Sequence, residues 1–154
     1  MQWFINNAKE AGLRAAYVQV DDPFSHRMLE CYQAYEQQCN KEGVVDFPEL
    51  LLRSYELLSR NAILCQHYRE RFSHILVDEF QDTNRLQYQW LKLLAGVGTP
   101  TVAAVFVVGD DDQSIYAFRG ANTGNMKDFE HDFAISKVIK LEQNYRSHGN
   151  ILDA

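Results

Sequence analysis

Two short apolar runs that each end in acid constrain this chain most. His74-Ile75-Leu76-Val77 stops at Asp78-Glu79, and Val102 to Val108 stops at Gly109-Asp110-Asp111-Asp112. Between them a helical pattern carries Leu86, Trp90, Leu93 and Leu94 on one face and ends at Gly96. Strand, helix, strand, with both strands apolar throughout, predicts a parallel βαβ unit buried on both faces. Ligands of such sheets bind beyond the carboxyl ends of the strands, so both acidic tips are delivered to one functional edge. Lys137 to Leu141 is a third candidate strand.

Ahead of this unit the chain reads as helical. Trp3 to Ala11 has a helical pattern stopped by Gly12. Asp21-Asp22-Pro23 has the form of a cap with proline in the first turn. Met28, Cys31, Tyr32, Tyr35 and Cys39 then recur at helical spacing as far as Gly43, a stripe suited to helix packing rather than base stacking. A third helix starts at Asp46-Phe47-Pro48-Glu49, where Asp46 as N-cap and Glu49 three residues on have the form of a capping box. Leu50, Leu51, Ser54 and Leu58 continue one face, and residues 63–71 form one more helical stretch. The pattern shifts place boundaries near Gly43 and Ser136.

The 154 residues suffice for one compact domain or parts of two, and a 46% hydrophobic content supports a core rather than disorder. A net charge of −6 argues against a protein that coats DNA, which is usually basic, but leaves room for a local patch. Cys31, Cys39 and Cys65 form no CxxC pair, which argues against zinc or a disulfide framework and for a reducing, cytoplasmic compartment. His26, His67, His74, His131 and His148 show no ligand spacing. There is no secretory signal and no stretch long and apolar enough to span a membrane, so no membrane partner is expected.

Asp78 and Glu79 at a strand tip have two readings. They cap the following helix, or they form the acid end of a Walker B strand. In the second case Asp78, with Glu79 beside it, holds Mg²⁺, a hard cation that takes oxygen ligands and phosphates. Glu79 then takes a proton from an attacking water, a role worth roughly 10²–10⁴-fold in rate.

Three blocks follow one another in the chain: Asp78-Glu79-Phe80-Gln81-Asp82-Thr83-Asn84, then Gly109-Asp110-Asp111-Asp112-Gln113-Ser114-Ile115-Tyr116-Ala117-Phe118-Arg119-Gly120-Ala121, then Leu141-Glu142-Gln143-Asn144-Tyr145-Arg146-Ser147. In order and spacing they resemble motifs II, III and IV of the UvrD/Rep/PcrA family of superfamily 1 DNA helicases, nearest to its UvrD branch. The resemblance extends upstream through Gly43-Val44-Val45-Asp46-Phe47 and Trp3-Phe4-Ile5-Asn6, and so covers essentially the whole chain.

The resemblance implies an α/β fold: a partial RecA-like (P-loop NTPase) parallel sheet with flanking helices, preceded by the remnant of a helical subdomain. Residues 1–43 correspond to the end of a helical insertion, 44–136 to the second half of the first RecA-like motor domain, and 137–154 to the start of the second. The implied activity is ATP-driven 3′-to-5′ translocation and duplex unwinding in DNA repair. ATP and Mg²⁺ are the implied cofactors; single-stranded DNA, single/double-strand junctions and repair proteins are the implied partners.

Residue by residue, Asp78 and Glu79 correspond to the Mg²⁺ carboxylate and the catalytic base. Gln113 corresponds to the glutamine at the γ-phosphate or attacking water, where an amide both accepts and donates. Tyr145 corresponds to the tyrosine stacked on adenine. Arg146 corresponds to an arginine finger, worth about 10³–10⁵-fold. Tyr116, Phe118 and Arg119 correspond to the DNA grip, in which stacking is worth roughly 1–3 kcal/mol per base. Phe118 stands where the family usually has tryptophan. Read without the family, Gln113 is a helix-start hydrogen-bonding residue, Tyr145 and Arg146 an ordinary aromatic and a surface cation, and Tyr116 and Phe118 core residues. Asp110 orients toward the Mg²⁺ water shell, while Asp111 and Asp112 face solvent or cap a helix. Gln113 and Phe118 are five residues apart, so a shift at the phosphate can be felt at the DNA.

No GxxxxGK[ST] loop occurs, and a nucleotide motor needs one to cradle the phosphates. The expectation is an excised fragment that neither hydrolyses ATP nor unwinds DNA alone, with an unpaired sheet edge prone to self-association. Two other classes compete: a RecB- or AddA-like helicase–nuclease subunit, which shares the first block, and a non-catalytic helicase-like interaction module. The second and third blocks favour the simpler helicases. The joint presence of Asp78, Glu79, Gln113 and Arg146 speaks against a dead site.

Overall fold

A computed structural model describes residues 1–110, 124–145, 147 and 149. The chain begins with helix α1 (Gln2–Glu10). Asp22 then accepts from the backbone N–H groups of Phe24 and Ser25 and sets Pro23 in the first turn of α2 (Pro23–Glu42). That helix ends on Gly43 in the left-handed region, φ 70°, where glycine carries no Cβ penalty. α1 and α2 share a core of Ile5, Ala8, Ala15 and Tyr32, and the Tyr32 hydroxyl donates to the Leu13 carbonyl at 3.0 Å.

Helix α3 (Phe47–Arg60) starts where its sequence predicts: Asp46 Oδ1 accepts from the Glu49 N–H at 2.8 Å. The reciprocal half of the capping box does not form, because the buried Glu49 carboxylate faces Lys9, Arg14 and Arg53 instead. Drawing Glu49 inward rotates the buried stripe. Leu52, one turn on, is fully buried with Leu58, whereas Leu50, expected on that face, is exposed. Helix α4 (Ala62–Arg71) follows, capped by Asn61.

Strand β1 (His74–Val77) pairs in parallel with β2 (Ala104–Val107), in register from His74↔Ala104 to Val77↔Val107. The crossover is α5 (Arg85–Ala95), whose N-terminus carries the reciprocal box that α3 lacks, between Asn84 and Gln87. α5 is buried on two sides. Tyr88 and Leu91 join Phe80 and Phe129 against Ile75, Val77, Val105 and Val107 of the sheet. Leu94 joins Leu58 and Cys65 against Trp90 and Leu93, and Trp90 Nε1 donates to Ser54 Oγ of α3 at 3.0 Å. Phe129 comes from α6 (Asn125–Asp132).

Two expectations need correction. The strands are covered on one face only: Leu76 is 78% exposed and Phe106 57%. Among the described residues the helices that pack on the sheet all lie on the Ile75–Val77 side, so the outward alternate residues stay in water. Residues 137–141 are not a strand. Val138, Ile139 and Leu141 are exposed, and a β-prone run with no neighbour to exchange backbone hydrogen bonds gains nothing from the strand conformation. Among the described residues no helix is long and apolar enough to cross a membrane.

An ionic cluster ties α1 and the turn after it to α3. Lys9 Nζ, 2% exposed as a residue, lies 2.8 Å from Asp46 Oδ2 and 2.9 Å from Glu49 Oε2. Arg14 clamps Glu56 through two hydrogen bonds of 2.8 and 2.6 Å and reaches Glu49 at 2.6 Å. Burial pushes the Asp46 and Glu49 carboxyls up, but hydrogen bonds outweigh it, from Lys9, Tyr35 and the Glu49 N–H to Asp46 and from Arg53, Arg14 and Lys9 to Glu49, and both settle below the usual carboxylate range. The Arg14 hydrogen bond is the leading cause that holds Glu56 down. Between α5 and α6, hydrogen bonds from Lys92 and Tyr88 hold the Asp132 carboxyl at about 2.

Lys9→Ala strands two part-buried carboxylates and is expected to lower the urea-unfolding free energy by about 3 kcal/mol. The pH dependence follows from the depressed carboxyls. Each stabilises the fold above its unfolded value and loses that contribution as pH falls through its folded value. The urea midpoint is therefore expected to drop between roughly pH 4 and pH 2, and Asp132→Asn to shed its share of that slope.

Candidate functional site

Parallel pairing brings the two acidic tips together. The ladder runs on past the strands: Val108 N–H donates to the Val77 carbonyl at 2.8 Å, and Phe80 N–H donates to the Val108 carbonyl at 3.0 Å. Asp78 and Glu79 thus share one edge with Gly109 and Asp110. Both Asp78 and Glu79 are exposed, and Asp78 Oδ1 accepts from the Glu79 N–H at 2.9 Å.

Glu79 has left-handed backbone, φ 50° and ψ 43°. For a residue with a Cβ this costs on the order of 1–3 kcal/mol, and it persists only where the surroundings enforce it. The enforcement is visible. The chain turns at once into a 3-10 turn, Phe80–Asp82, closed by Asp82 N–H donating to the Glu79 carbonyl at 2.9 Å. Phe80 is fully buried against the inner face of the sheet. Thr83, just beyond, is tied to α6 by Asn125 Nδ2, which donates to its carbonyl at 2.9 Å and its hydroxyl at 3.1 Å.

Gln81 spans the two tips. It is buried; its Nε2 donates to Glu79 Oε2 at 2.7 Å, and its Oε1 accepts from the Asp110 N–H at 3.0 Å. Gly109 permits this close approach: a Cβ there would stand 2.7 Å from Gln81 Oε1 and 3.3 Å from the backbone nitrogens of Phe80 and Gln81. Both residues stand in the first and second sequence blocks, where neither carries an expected role. The available signal was a glutamine two positions after the second acid and a glycine at the point where an apolar run turns acidic.

Of the residues expected at the site, the structure brings Asp78 and Glu79 together beside Asp110. Gln113, Tyr116, Phe118, Arg119 and Arg146 lie outside the described residues, as do Asp111 and Asp112. Tyr145 is 86% exposed, and its hydroxyl donates to Gln143 Oε1 at 2.9 Å. Among the described residues no three His, Cys, Asp or Glu side chains converge on a metal position. Two exposed carboxylates at a strand tip suit a cation that keeps most of its ligands from water and phosphate, the habit of Mg²⁺. A cavity of about 630 Å³ lies at the opposite end of the strands, with Ser73 and Ala103 in its wall, so it does not coincide with the acidic tips.

Helices α1–α5 and the acid-tipped parallel strands fall within the stretch, residues 1–134, that matches the family model described as UvrD/REP helicase N-terminal domain. The chain therefore belongs to the UvrD/REP helicase family. It is 51% identical over 153 residues to DNA helicase II of Escherichia coli (strain K12), covering 99% of this chain and 21% of that protein. DNA helicase II of Haemophilus influenzae is 48% identical, with 99% of this chain and 20% of the relative covered. ATP-dependent DNA helicase UvrD1 of Mycobacterium tuberculosis is 41% identical over 144 residues, covering 91% of this chain and 18% of the relative. The chain thus spans about a fifth of the length of these relatives.

Gly109→Ala forces the new methyl group against the Gln81 amide and is expected to cost about 1–3 kcal/mol of stability in urea unfolding, the range for overpacking.

Proposed function

We propose that this chain is part of the ATP-driven motor of a DNA helicase that translocates 3′-to-5′ on single-stranded DNA, opens duplexes at junctions and serves DNA repair in the cytoplasm. One observation carries the reading: exposed carboxylates of Asp78 and Glu79 stand at the tip of a strand whose parallel neighbour brings a second acidic tip alongside, in a chain of the helicase family. In this reading β1, α5 and β2 are part of a RecA-like sheet. Residues 1–43 close a helical insertion, 44–136 form the second half of the first motor domain, and 137–154 open the next.

Glu79 is the base. As the water oxygen bonds to the γ-phosphorus, its proton passes to the Glu79 carboxylate, and the bond from γ-phosphorus to the bridging oxygen breaks to release ADP. Asp78, with Glu79 beside it, would hold Mg²⁺, which would offset the charge of the phosphates. Gln113 orients the water or the γ-phosphate, Tyr145 stacks on adenine, and Arg146 meets the charge that develops in the transition state. Tyr116, Phe118 and Arg119 grip single-stranded DNA by stacking and charge, a mode that accepts any base sequence. The exposed outer face, Leu76 and Phe106, and the open sheet edge are surfaces through which the chain alone associates with itself.

The test is ATP turnover by a polypeptide of the relatives' length that contains this chain. Glu79→Gln is expected to lower DNA-stimulated turnover about 10²–10⁴-fold while single-stranded DNA binding persists. Turnover at the wild-type rate overturns the assignment. The 154-residue chain, which has no GxxxxGK[ST] loop, is expected to release no phosphate with or without DNA. Its sedimentation coefficient is expected to rise with concentration; a single monomeric species throughout the range counts against the open-edge argument.

A further inference from the structure

We propose that Gln81 is a positioning residue that couples the two strand tips: one end of its amide aims the Glu79 carboxylate, and the other holds the backbone at Asp110. The inference rests on reading Glu79 as the base. An exposed glutamate has three free side-chain torsions, so a base at this position needs something to aim it. Among the described residues the side chain that donates to Glu79 is Gln81, at 2.7 Å. Its other end accepts from Asp110 N–H at 3.0 Å.

Only a side chain that donates at one end and accepts at the other can fill both roles. A carboxylate of the same length accepts at both ends, and an ammonium group donates only. Gln81 is 4% exposed, so its two bonds form away from competing water. Gly109 leaves room for it where any Cβ would intrude. The path from Glu79 to the peptide of Asp110 is therefore two hydrogen bonds long. Displacement of the second tip pulls on the amide and re-aims the carboxylate of the first, so ATP is cleaved only when both tips are in register.

The test pairs two readouts. In the longer polypeptide, Gln81→Glu keeps the acceptor for Asp110 and removes the donor to Glu79. It is expected to lower kcat for ATP about 10²-fold with KM close to wild type, as misaimed chemistry does, and to lower Tm, since the new carboxylate is buried against that of Glu79. In the ¹⁵N-labelled 154-residue chain, the Gln81 side-chain amide protons are expected to exchange with solvent slowly. Glu79→Ala, at an exposed position, is expected to speed that exchange about tenfold or more. A dead Glu79→Gln enzyme beside a Gln81→Glu enzyme of wild-type kcat overturns this inference alone, as does amide exchange unchanged by Glu79→Ala. Wild-type turnover by Glu79→Gln overturns the base assignment and this inference with it. Should Gln81→Glu fail to fold, the exchange measurement decides.

Discussion

Parallel pairing of β1 with β2 obliges both strands to end on the same side of the molecule, and the rest of the arrangement depends on it. Four paired residues on each strand supply few backbone hydrogen bonds. The pairing is held from one side by Phe80, Tyr88, Leu91 and Phe129, large side chains whose burial stabilises by about 1.5–3 kcal/mol each for residues of the Phe and Leu kind. Because α5 must return the chain to the start of a parallel neighbour, it runs back across the sheet and presents one flank to the strands and the other to α3 and α4. The acidic tips, the left-handed Glu79 and the buried Gln81 all follow from where those strands are made to stop.

The helical portion is held by a different kind of force. Around Glu49, three cations and three further carboxylates meet in a partly desolvated space. Such clusters add little net stability compared with apolar packing, since removing charges from water offsets most of their attraction. What they add is geometry: a bidentate Arg14–Glu56 pair has few alternatives of equal energy. Asp46 serves twice, as the cap of α3 and as the counter-ion of Lys9, so the start of that helix and its docking on α1 are set by one side chain.

Much of this was legible in the residues. Asp22-Pro23, Asp46 and Gly43 announced helix ends through local chemistry that needs no tertiary partner, and the structure places the ends there. The βαβ unit was legible because an apolar run of four residues closed by acid has few other uses. What escaped was decided at a distance. Glu49 abandoned its capping bond because Lys9 and Arg14, some forty and thirty-five residues earlier, reach it in space. Leu50 lost its place on the inner face for the same reason. The exposure of Leu76 and Phe106 could not be read from their own apolar character, since it depends on what lies over them. Lys137 to Leu141 has strand composition without a neighbouring ladder. At the site, the strand-tip position of Asp78 and Glu79 left a helix cap and a Walker B end both open and the order of the three blocks favoured the second, whereas the contact of Gln81 with Asp110 exists only once the second tip is folded against it.

The contact of Trp90 with Ser54 gives the chain an internal optical gauge. Of the two tryptophans, Trp3 is 67% exposed, whereas the indole of Trp90 is half-buried and hydrogen-bonded across the seam between α3 and α5. Indole emission shifts to longer wavelength as water reaches the ring. With Trp3 replaced by phenylalanine, fluorescence becomes a single-colour report on whether the helical layer is seated against the crossover helix. Loosening of that seam can then be followed separately from events at the acidic tips, which carry no tryptophan.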